Sequence, residues 1–210
     1  MNRRQFVVAR ITEHVEPIER GERYEDPLTA FLNEHGLGEV TGGGSQLNAN
    51  GEIEFADVEL ELVDLDDAVT QLIRQLEAMG APCGSSIQFA ADSGREAIPF
   101  GKYEQLTIYL DGTGLPPDVY ESLDFDRFYS ELGEAAGREA DGQARSVWTG
   151  ATETAVHLAG PNADALEHVV KAMWHTAPIL QNARLVLRYA DGRAPIERRL
   201  PVRESGPSAA

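Results

Sequence analysis

The side chains that could carry out chemistry are scattered along the chain rather than grouped in a recognisable motif. The five histidines are His14, His35, His157, His168 and His175. His168 and His175 are seven residues apart, but no third ligand adjoins them at a spacing typical of metal sites. The single Cys83 excludes an internal disulfide and a cysteine-based zinc cluster. The sequence therefore predicts no metal site and no cofactor.

Carboxylates are abundant, and two of them on one strand face resemble a catalytic pair. Residues 50–70 hold eight acidic side chains and no Lys or Arg. Alternation along a strand places Asp57, Glu59 and Glu61 on one face. Because no base, nucleophile or metal ligand converges on them, solvated charge is the favoured interpretation. One enzyme hypothesis stays open, in which Glu153, His157 and Asp111 lie within hydrogen-bond reach around one cavity.

A glycine triplet, Gly42, Gly43 and Gly44, interrupts an otherwise strand-like segment. It lacks the Lys-Ser/Thr pair that a phosphate-binding loop needs. Glycines inside a strand favour a bulge, or a position where another backbone or a ligand approaches closely. We expect close backbone approach at these three residues.

Composition narrows the class of partner. The chain has 210 residues, 42% of them hydrophobic, and a formal charge of −17. Nucleic acid and anionic membrane surfaces attract Lys/Arg patches, so both are disfavoured as partners. No apolar run approaches the roughly 20 residues that cross a bilayer. With the lone cysteine, these features predict a cytoplasmic protein.

The element pattern predicts the fold. Strands are expected at 5–12, 39–47, 52–63, 85–90, 103–111, 143–149, 152–159 and 183–190, with an edge strand within 195–203. Helices are expected to begin at Asp26-Pro27, at an Asp64 cap, near 116 and at an Asn162 cap.

Each half of the chain then reads βαββαβ, which predicts an α+β fold of two tandem ferredoxin-like units with antiparallel sheets. The units are expected over 1–98 and 99–203, with a frayed tail over 204–210. One continuous α+β sheet with the same element order is the alternative.

Each predicted sheet has one face free of helices, and these open faces carry the candidate site residues. In the first unit they are Phe6, Val8, Arg10, Phe55, Asp57, Glu59 and Glu61, with Arg10 placed to pair with Asp57 or Glu59. In the second they are Thr107, Tyr109, Asp111, Glu153, Ala155 and His157. A two-residue turn at Gly150-Ala151 would set Trp148 opposite Glu153. The two faces pack on each other as core, or they form a ligand or partner site.

Five strings resemble those of an uncharacterised bacterial protein family. They lie at 39–47 (EVTGGGSQL), 57–66 (DVELELVDLD), 80–85 (GAPCGS), 109–116 (YLDGTGLP) and 148–155 (WTGATETA). The resemblance spans most of residues 5–190 and implies a bacterial cytosolic protein. As a class, small acidic α+β proteins without catalytic motifs also resemble immunity proteins that neutralise secreted toxins.

The leading hypothesis is a non-enzymatic binding protein, an immunity-type inhibitor that occludes a basic toxin or another basic protein. Acids of 52–67 would steer the partner, and Trp148, Tyr109 and Glu153 would anchor it. The alternative is a small-molecule sensor or regulatory module that binds between the repeats. Exposed sheet edges permit a homo-oligomer, but no residue indicates one.

Overall fold

The chain folds into two units, each built around its own five-stranded sheet. The computed structural model describes residues 4–203. Unit 1 runs to Glu104 and takes in Ala190–Arg193, and unit 2 comprises Gln105–Tyr189 and the chain from Ala194. The division follows Glu104 rather than residue 98, because a short strand at Ile98–Phe100 pairs with the first sheet. The tail predicted over 204–210 lies outside the described residues.

Unit 1 has the element order βαββαβ followed by one short strand. Its strands are β1 (Gln5–Ile11), β2 (Gly38–Leu47), β3 (Ile53–Leu62), β4 (Ser85–Phe89) and β5 (Ile98–Phe100). Its helices are α1 (Pro17–Arg20), α2 (Asp26–His35) and α3 (Leu65–Ala78). The strand order is β2-β3-β1-β4-β5, and neighbouring strands run antiparallel. Without β5, this is a ferredoxin-like sheet.

Unit 2 repeats the arrangement. Its strands are β6 (Glu104–Asp111), β7 (Gln143–Thr149), β8 (Glu153–Gly160), β9 (Arg184–Arg188) and β10 (Ile196–Arg199). Its helices are α4 (Pro117–Glu121), α5 (Phe125–Ala140) and α6 (Ala163–Met173). The strand order β10-β9-β6-β8-β7 places the extra strand beside the fourth strand, as in unit 1. The predicted α+β fold of two tandem ferredoxin-like units is confirmed, and the single continuous sheet is not found.

Each unit has a hydrophobic core between its helices and one face of its sheet. In unit 1 alternate β3 residues are fully buried, and they cluster with apolar residues of α2 and α3; the β3 set is Ala56, Val58, Leu60 and Leu62. In unit 2 Leu106 and Ile108 of β6 cluster with Leu132 of α5 and Leu166 of α6. Because the helices cover one face only, the alternate strand residues are left on the opposite face.

The first helical segment begins earlier than predicted. Helix starts at Pro17, and a π-helical turn at Gly21–Glu25 leads directly into α2. The prediction that Asp26 caps a new helix was wrong, because Asp26 already has helical backbone angles and makes no side-chain cap bond. The fully buried Tyr24 fixes the π-helical turn against the core.

Helix ends in the rest of the chain agree partly with the sequence signals. Asn162 caps α6 as predicted, because its Oδ1 accepts from the N–H of Ala165 at 2.9 Å. Asp64 precedes α3 but has a left-handed backbone (φ 51°), and its side chain makes no cap bond. The predicted helical stretch over 116–137 forms two helices, α4 and α5, and the predicted edge strand forms as β10.

Candidate functional site

Three neighbouring strands place the candidate residues of unit 1 in parallel rows on its open face, and the strand register defines these rows. β1 supplies Phe6, Val8 and Arg10, which face Glu61, Glu59 and Asp57 of β3 in that order. On the other side of β3, the edge strand β2 supplies Glu39, Gly42 and Gly44. The predicted grouping of these residues on one face therefore matches the register.

Arg10 and Asp57 form a bidentate ion pair between β1 and β3 on this face. Arg10 donates from Nε to Oδ1 at 2.9 Å and from Nη2 to Oδ2 at 2.8 Å. Its guanidinium also lies 3.8 Å from the ring centroid of Phe55. The hydrogen bonds that Arg10 donates to Asp57 raise the pKa of Arg10, although burial lowers it. Asp57 is therefore neutralised within the sheet and is poorly placed to attract a partner.

The remaining acids of residues 50–70 divide into structural and exposed groups. Glu52 is 4% exposed, accepts a bond from Asn48 and lies 3.5 Å from His14. Asp66 and Asp67 lie in the first turn of α3, where a negative charge complements the helix dipole. Arg95 pairs with Asp66 and lowers the pKa of that carboxyl. These acids contribute less to partner attraction than their number suggests.

Glu59 and Glu61 are the other two carboxylates that β3 places on the open face beside Asp57. Both are half-buried by their neighbours on the sheet. Arg4 pairs with Glu39 and lies 3.8 Å from Glu61. Within residues 4–203, no basic side chain pairs with Glu59. Glu59 is therefore the centre of negative charge on this face.

The three glycines Gly42, Gly43 and Gly44 have different surroundings. A Cβ on Gly43 would lie 2.6 Å from Oε1 of Glu25 and 2.8 Å from the backbone oxygen of Asp57. A Cβ on Gly42 would lie 3.1 Å from Oε2 of Glu59. Open space surrounds Gly44, and the strand register shifts between Val40 and Gly42. The close approach thus falls on Gly43, where the Arg20–Glu25 ion pair packs against β2.

Unit 2 carries a second clamp of arginine, carboxylate and aromatic ring. Arg184 of β9 donates from Nη2 to Oε2 of Glu153 at 2.9 Å. Its guanidinium lies 3.8 Å from the ring centroid of Tyr109, its register partner on β6. Burial lowers the pKa of Arg184, but Glu153 outweighs burial and the pKa lies above its ordinary value. Tyr109 and Glu153, both predicted site residues, are therefore joined by an arginine that the sequence analysis did not single out.

Trp148 lies on the same face but not at the predicted position. Its register partner is Ala155, and Thr149 faces Thr154. The prediction that Trp148 lies opposite Glu153 was wrong, because the turn is longer than two residues and Gly150 N–H donates to the Glu153 oxygen at 2.9 Å. The Trp148 ring packs where a Cβ on Gly150 would be, so the indole covers its own turn.

His157 is buried in the middle of this face. It is 4% exposed, and its Nδ1 lies 3.1 Å from Oγ1 of Thr107, which is 5% exposed. Its register neighbour Ser146 is also buried, as is Ala155 two residues earlier on β8. Burial and hydrogen bonding give His157 a packing role in this face.

Asp111 organises the turn that follows β6. Its Oδ1 accepts from the backbone N–H groups of Thr113 and Gly114, and its Oδ2 accepts from Asn182 at 2.6 Å. Burial raises the pKa of Asp111, but these bonds and the charge of Arg199 outweigh burial and hold the pKa below its usual value. All of these contacts fix a turn.

The three residues of the enzyme hypothesis bond to three different partners. Glu153 pairs with Arg184, His157 meets Thr107, and Asp111 bonds to Asn182. Glu153 and His157 are four residues apart on one strand, a separation of about 13 Å along the chain. Glu153 and His157 are therefore too far apart for a direct hydrogen bond to each other.

Fold and site together define an α+β protein of two ferredoxin-like units whose open faces carry arginine clamps and, in unit 1, half-buried carboxylates. No family model and no curated protein sequence matches the chain. Among solved structures, the chain is similar to an unknown protein from Galdieria sulphuraria, with 10% identity and a TM-score of 0.28, covering 90% of this chain and 98% of the other. It is also similar to the first two RRM domains of yeast poly(U) binding protein, with 11% identity, a TM-score of 0.22, and coverage of 92% and 98%. Both TM-scores are low, so the fold class rests on the strand order of this chain.

In residues 4–203, no helix is both long and apolar enough to span a membrane.

Arg184 and the Arg20–Glu25 pair are the site residues that sequence reasoning missed. The signal for Arg184 was present, because Leu185 and Leu187 alternate inward and leave Arg184 on the open face. The register that places Arg184 beside Tyr109 could not be predicted from the sequence pattern. Arg20 and Glu25 gave no comparable signal, since both lie in a polar stretch.

Proposed function

We propose that this chain is a non-enzymatic cytoplasmic binding protein whose unit 1 presents a negatively charged sheet face to a basic partner protein. The immunity-type version of this proposal is that the partner is a toxin whose functional surface becomes covered. Unit 2, with its clamped Tyr109, Arg184 and Glu153, supplies a rigid second surface.

The observation that carries the proposal is the open face of unit 1. Glu59 and Glu61 project from β3, while Arg10 of the neighbouring β1 is already held by Asp57. Residues 1–104 contain 20 acidic and 8 basic side chains, a formal charge of −12. Such a field accelerates the approach of a basic protein and repels acidic ones.

Apolar side chains beside the acids give the face a contact surface. Phe6, which is 45% exposed, lies opposite Glu61, and the half-buried Val8 lies opposite Glu59. Charged and apolar groups in adjacent rows suit a protein interface, where the apolar groups give affinity and the charges give orientation.

The experiment is to identify the partner and then test neutralisation. Immobilised protein would be incubated with lysate of its native host, and retained proteins identified by mass spectrometry and purified. The proposal expects a basic protein that forms a stoichiometric complex and arrests growth when expressed alone, with growth restored by co-expression of this chain. An acidic partner, or a complex indifferent to charge changes at Glu59 and Glu61, would overturn it.

A matched pair of variants separates local from overall charge. Glu59→Gln with Glu61→Gln removes two charges from the face. Glu121→Gln with Glu134→Gln removes two exposed charges from unit 2. Only the first pair is expected to weaken the complex.

A further inference from the structure

The outer edge of β2 is an exposed strand edge without the usual protection. β2 is the terminal strand of its sheet and is ten residues long. From Gly43 to Leu47 every residue is exposed. Natural sheets protect such edges with Lys, Pro or very short strands, because unpaired backbone groups recruit other strands. β2 contains no Lys, Arg or Pro.

Two other edges of the same molecule show such protection. β5 is three residues long and includes Pro99. β10 is four residues long and carries Arg198 and Arg199. β7, the remaining edge, is seven residues long and, like β2, has a register shift. β2 differs from the other three edge strands in its greater length and in having no Lys, Arg or Pro.

The register of β2 sets the length of strand that can be added. Gly42–Gln46 pairs with β3 without interruption, and irregularities lie on both sides, between Val40 and Gly42 and between Gln46 and Leu47. Five residues in regular register suit an added segment of about five residues, roughly 17 Å long.

The side chains along β2 set the chemistry of the added strand. Gly42 and Gly44 face the open side and leave room for a neighbouring strand's side chains to reach across them. Oε2 of Glu59 already lies over Gly42. A Lys or Arg at alternate positions of an added strand would meet that carboxylate. Leu47, 52% exposed, offers an apolar contact at the end of the strand.

A second copy of this chain fits the edge poorly. Two β2 strands side by side would bring Glu59 of each copy, with which no basic side chain of residues 4–203 pairs, towards the same edge. Like charges on adjacent strands are destabilising. Charge complementarity thus favours a basic partner over a homodimer.

We infer that the β2 edge is a strand-addition site that takes an extended segment with Lys or Arg at alternate positions from a basic partner protein. This inference rests on the proposed function and specifies how the partner docks. Backbone hydrogen bonds to Gly42–Gln46 supply affinity, and Glu59 selects the basic face of the added strand.

The test uses the synthetic peptide acetyl-(Arg-Thr)4-amide and the full chain. Calorimetric titration is expected to give one-to-one binding, and hydrogen exchange is expected to slow at amides of Gly42–Gln46. A peptide of the same sequence N-methylated at alternate residues keeps its charge but loses its backbone donors. It should bind about tenfold more weakly, because several hydrogen bonds are lost. A block peptide with four Arg followed by four Thr should also bind more weakly.

Two variants locate the site. Gly44→Lys adds a positive charge at a position with open space and is expected to lower the affinity for the alternating peptide by about fivefold. Gln143→Lys makes the same change in charge on the β7 edge and should leave binding unchanged.

Equal affinity for the N-methylated peptide, failure of the alternating peptide to bind, or slowed exchange elsewhere than β2 would overturn strand addition. The partner experiment is independent of these results. A basic partner that depends on Glu59 and Glu61 but not on Gly44→Lys would leave the proposed function standing without this docking mode. Dimerisation of the chain through β2 would contradict the choice of occupant.

Discussion

The carboxylate of Glu59 lies over the backbone of Gly42, with Oε2 3.1 Å from the place a Cβ would occupy. Gly42→Ala should push the carboxylate away from the edge of the sheet. The affinity for acetyl-(Arg-Thr)4-amide should then fall by about threefold, which corresponds to the loss of one exposed charge interaction. Gly21→Ala, outside β2, is the control, since nothing lies within 4 Å of its Cβ position. Equal affinities of the two variants, measured by calorimetry, would contradict this role of Gly42.

Gly43 should be the glycine of the triplet that stability requires. Its Cβ position is 2.8 Å from the backbone oxygen of Asp57, which cannot move without distorting β3. Gly43→Ala should lower the free energy of unfolding by about 1–3 kcal/mol, as overpacking does. Urea denaturation would measure this change, and Gly44→Ala should be neutral or slightly stabilising. A neutral Gly43→Ala would contradict a close approach of the Asp57 backbone oxygen to this position.

The clamp of Arg10 on Asp57 should depend on the shape of the guanidinium as well as on charge. Arg10→Lys keeps the charge but loses the paired donors and the flat contact with Phe55. A double-mutant cycle with Asp57→Asn should give a coupling free energy of about 1 kcal/mol at low salt, since both side chains are partly exposed. Coupling within error of zero would mean that the pair forms without stabilising the sheet.

Glu167 should hold the extra strand of unit 2. This residue of α6 is 4% exposed and pairs with Lys171 at 2.9 Å and with Arg198 of β10. Glu167→Gln should lower the free energy of unfolding by about 1–3 kcal/mol, because the charged hydrogen bonds are lost. The cost stays in this range because Lys171 and Arg198 can turn to water. Hydrogen exchange at β10 should accelerate. Glu131→Gln, which breaks an exposed pair with Arg127, should change stability by less than about 0.5 kcal/mol.

The stability contributed by Asp111 should depend on pH in a defined direction. Its pKa in the folded protein lies below the ordinary value of 3.8 for an aspartate, so its contribution is fully present above that value. The contribution is lost as the pH falls through the folded pKa. The Tm difference between the wild type and Asp111→Asn should therefore be largest near neutral pH and shrink in acid. A difference that stays constant with pH would show that the ionised form is not what Thr113, Gly114 and Asn182 stabilise.

Period-two patterning was enough to predict the faces of the central strands. Ala56, Val58, Leu60 and Leu62 are buried, and Asp57, Glu59 and Glu61 lie opposite, because alternation fixes sides whatever the register. The Arg10–Asp57 pair followed from the ferredoxin-like order, which makes β1 and β3 neighbours. Arg184 could not be paired with Glu153 in this way, since that contact depends on the registers of β9 and β8 against β6.

Other features were hidden because local rules were broken. The π-helical turn at Gly21–Glu25 inserts extra residues per turn, so the apolar spacing that marks a helix is lost before α2. The register of Trp148 depended on the number of residues in its turn, and glycine at 150 allowed a longer turn than the two residues expected. The protection of a sheet edge depends on strand order, which the sequence alone did not reveal for β5.

The measurement that tests the central claim most directly is the association rate of the identified partner as a function of ionic strength. The rate constant should fall steeply with added salt for the wild type. It should drop by about tenfold at low salt in Glu59→Gln with Glu61→Gln, and remain unchanged in Glu121→Gln with Glu134→Gln. An association rate constant that does not change with ionic strength, or that falls equally in both double variants, would contradict the claim that the open face of unit 1 binds a basic protein.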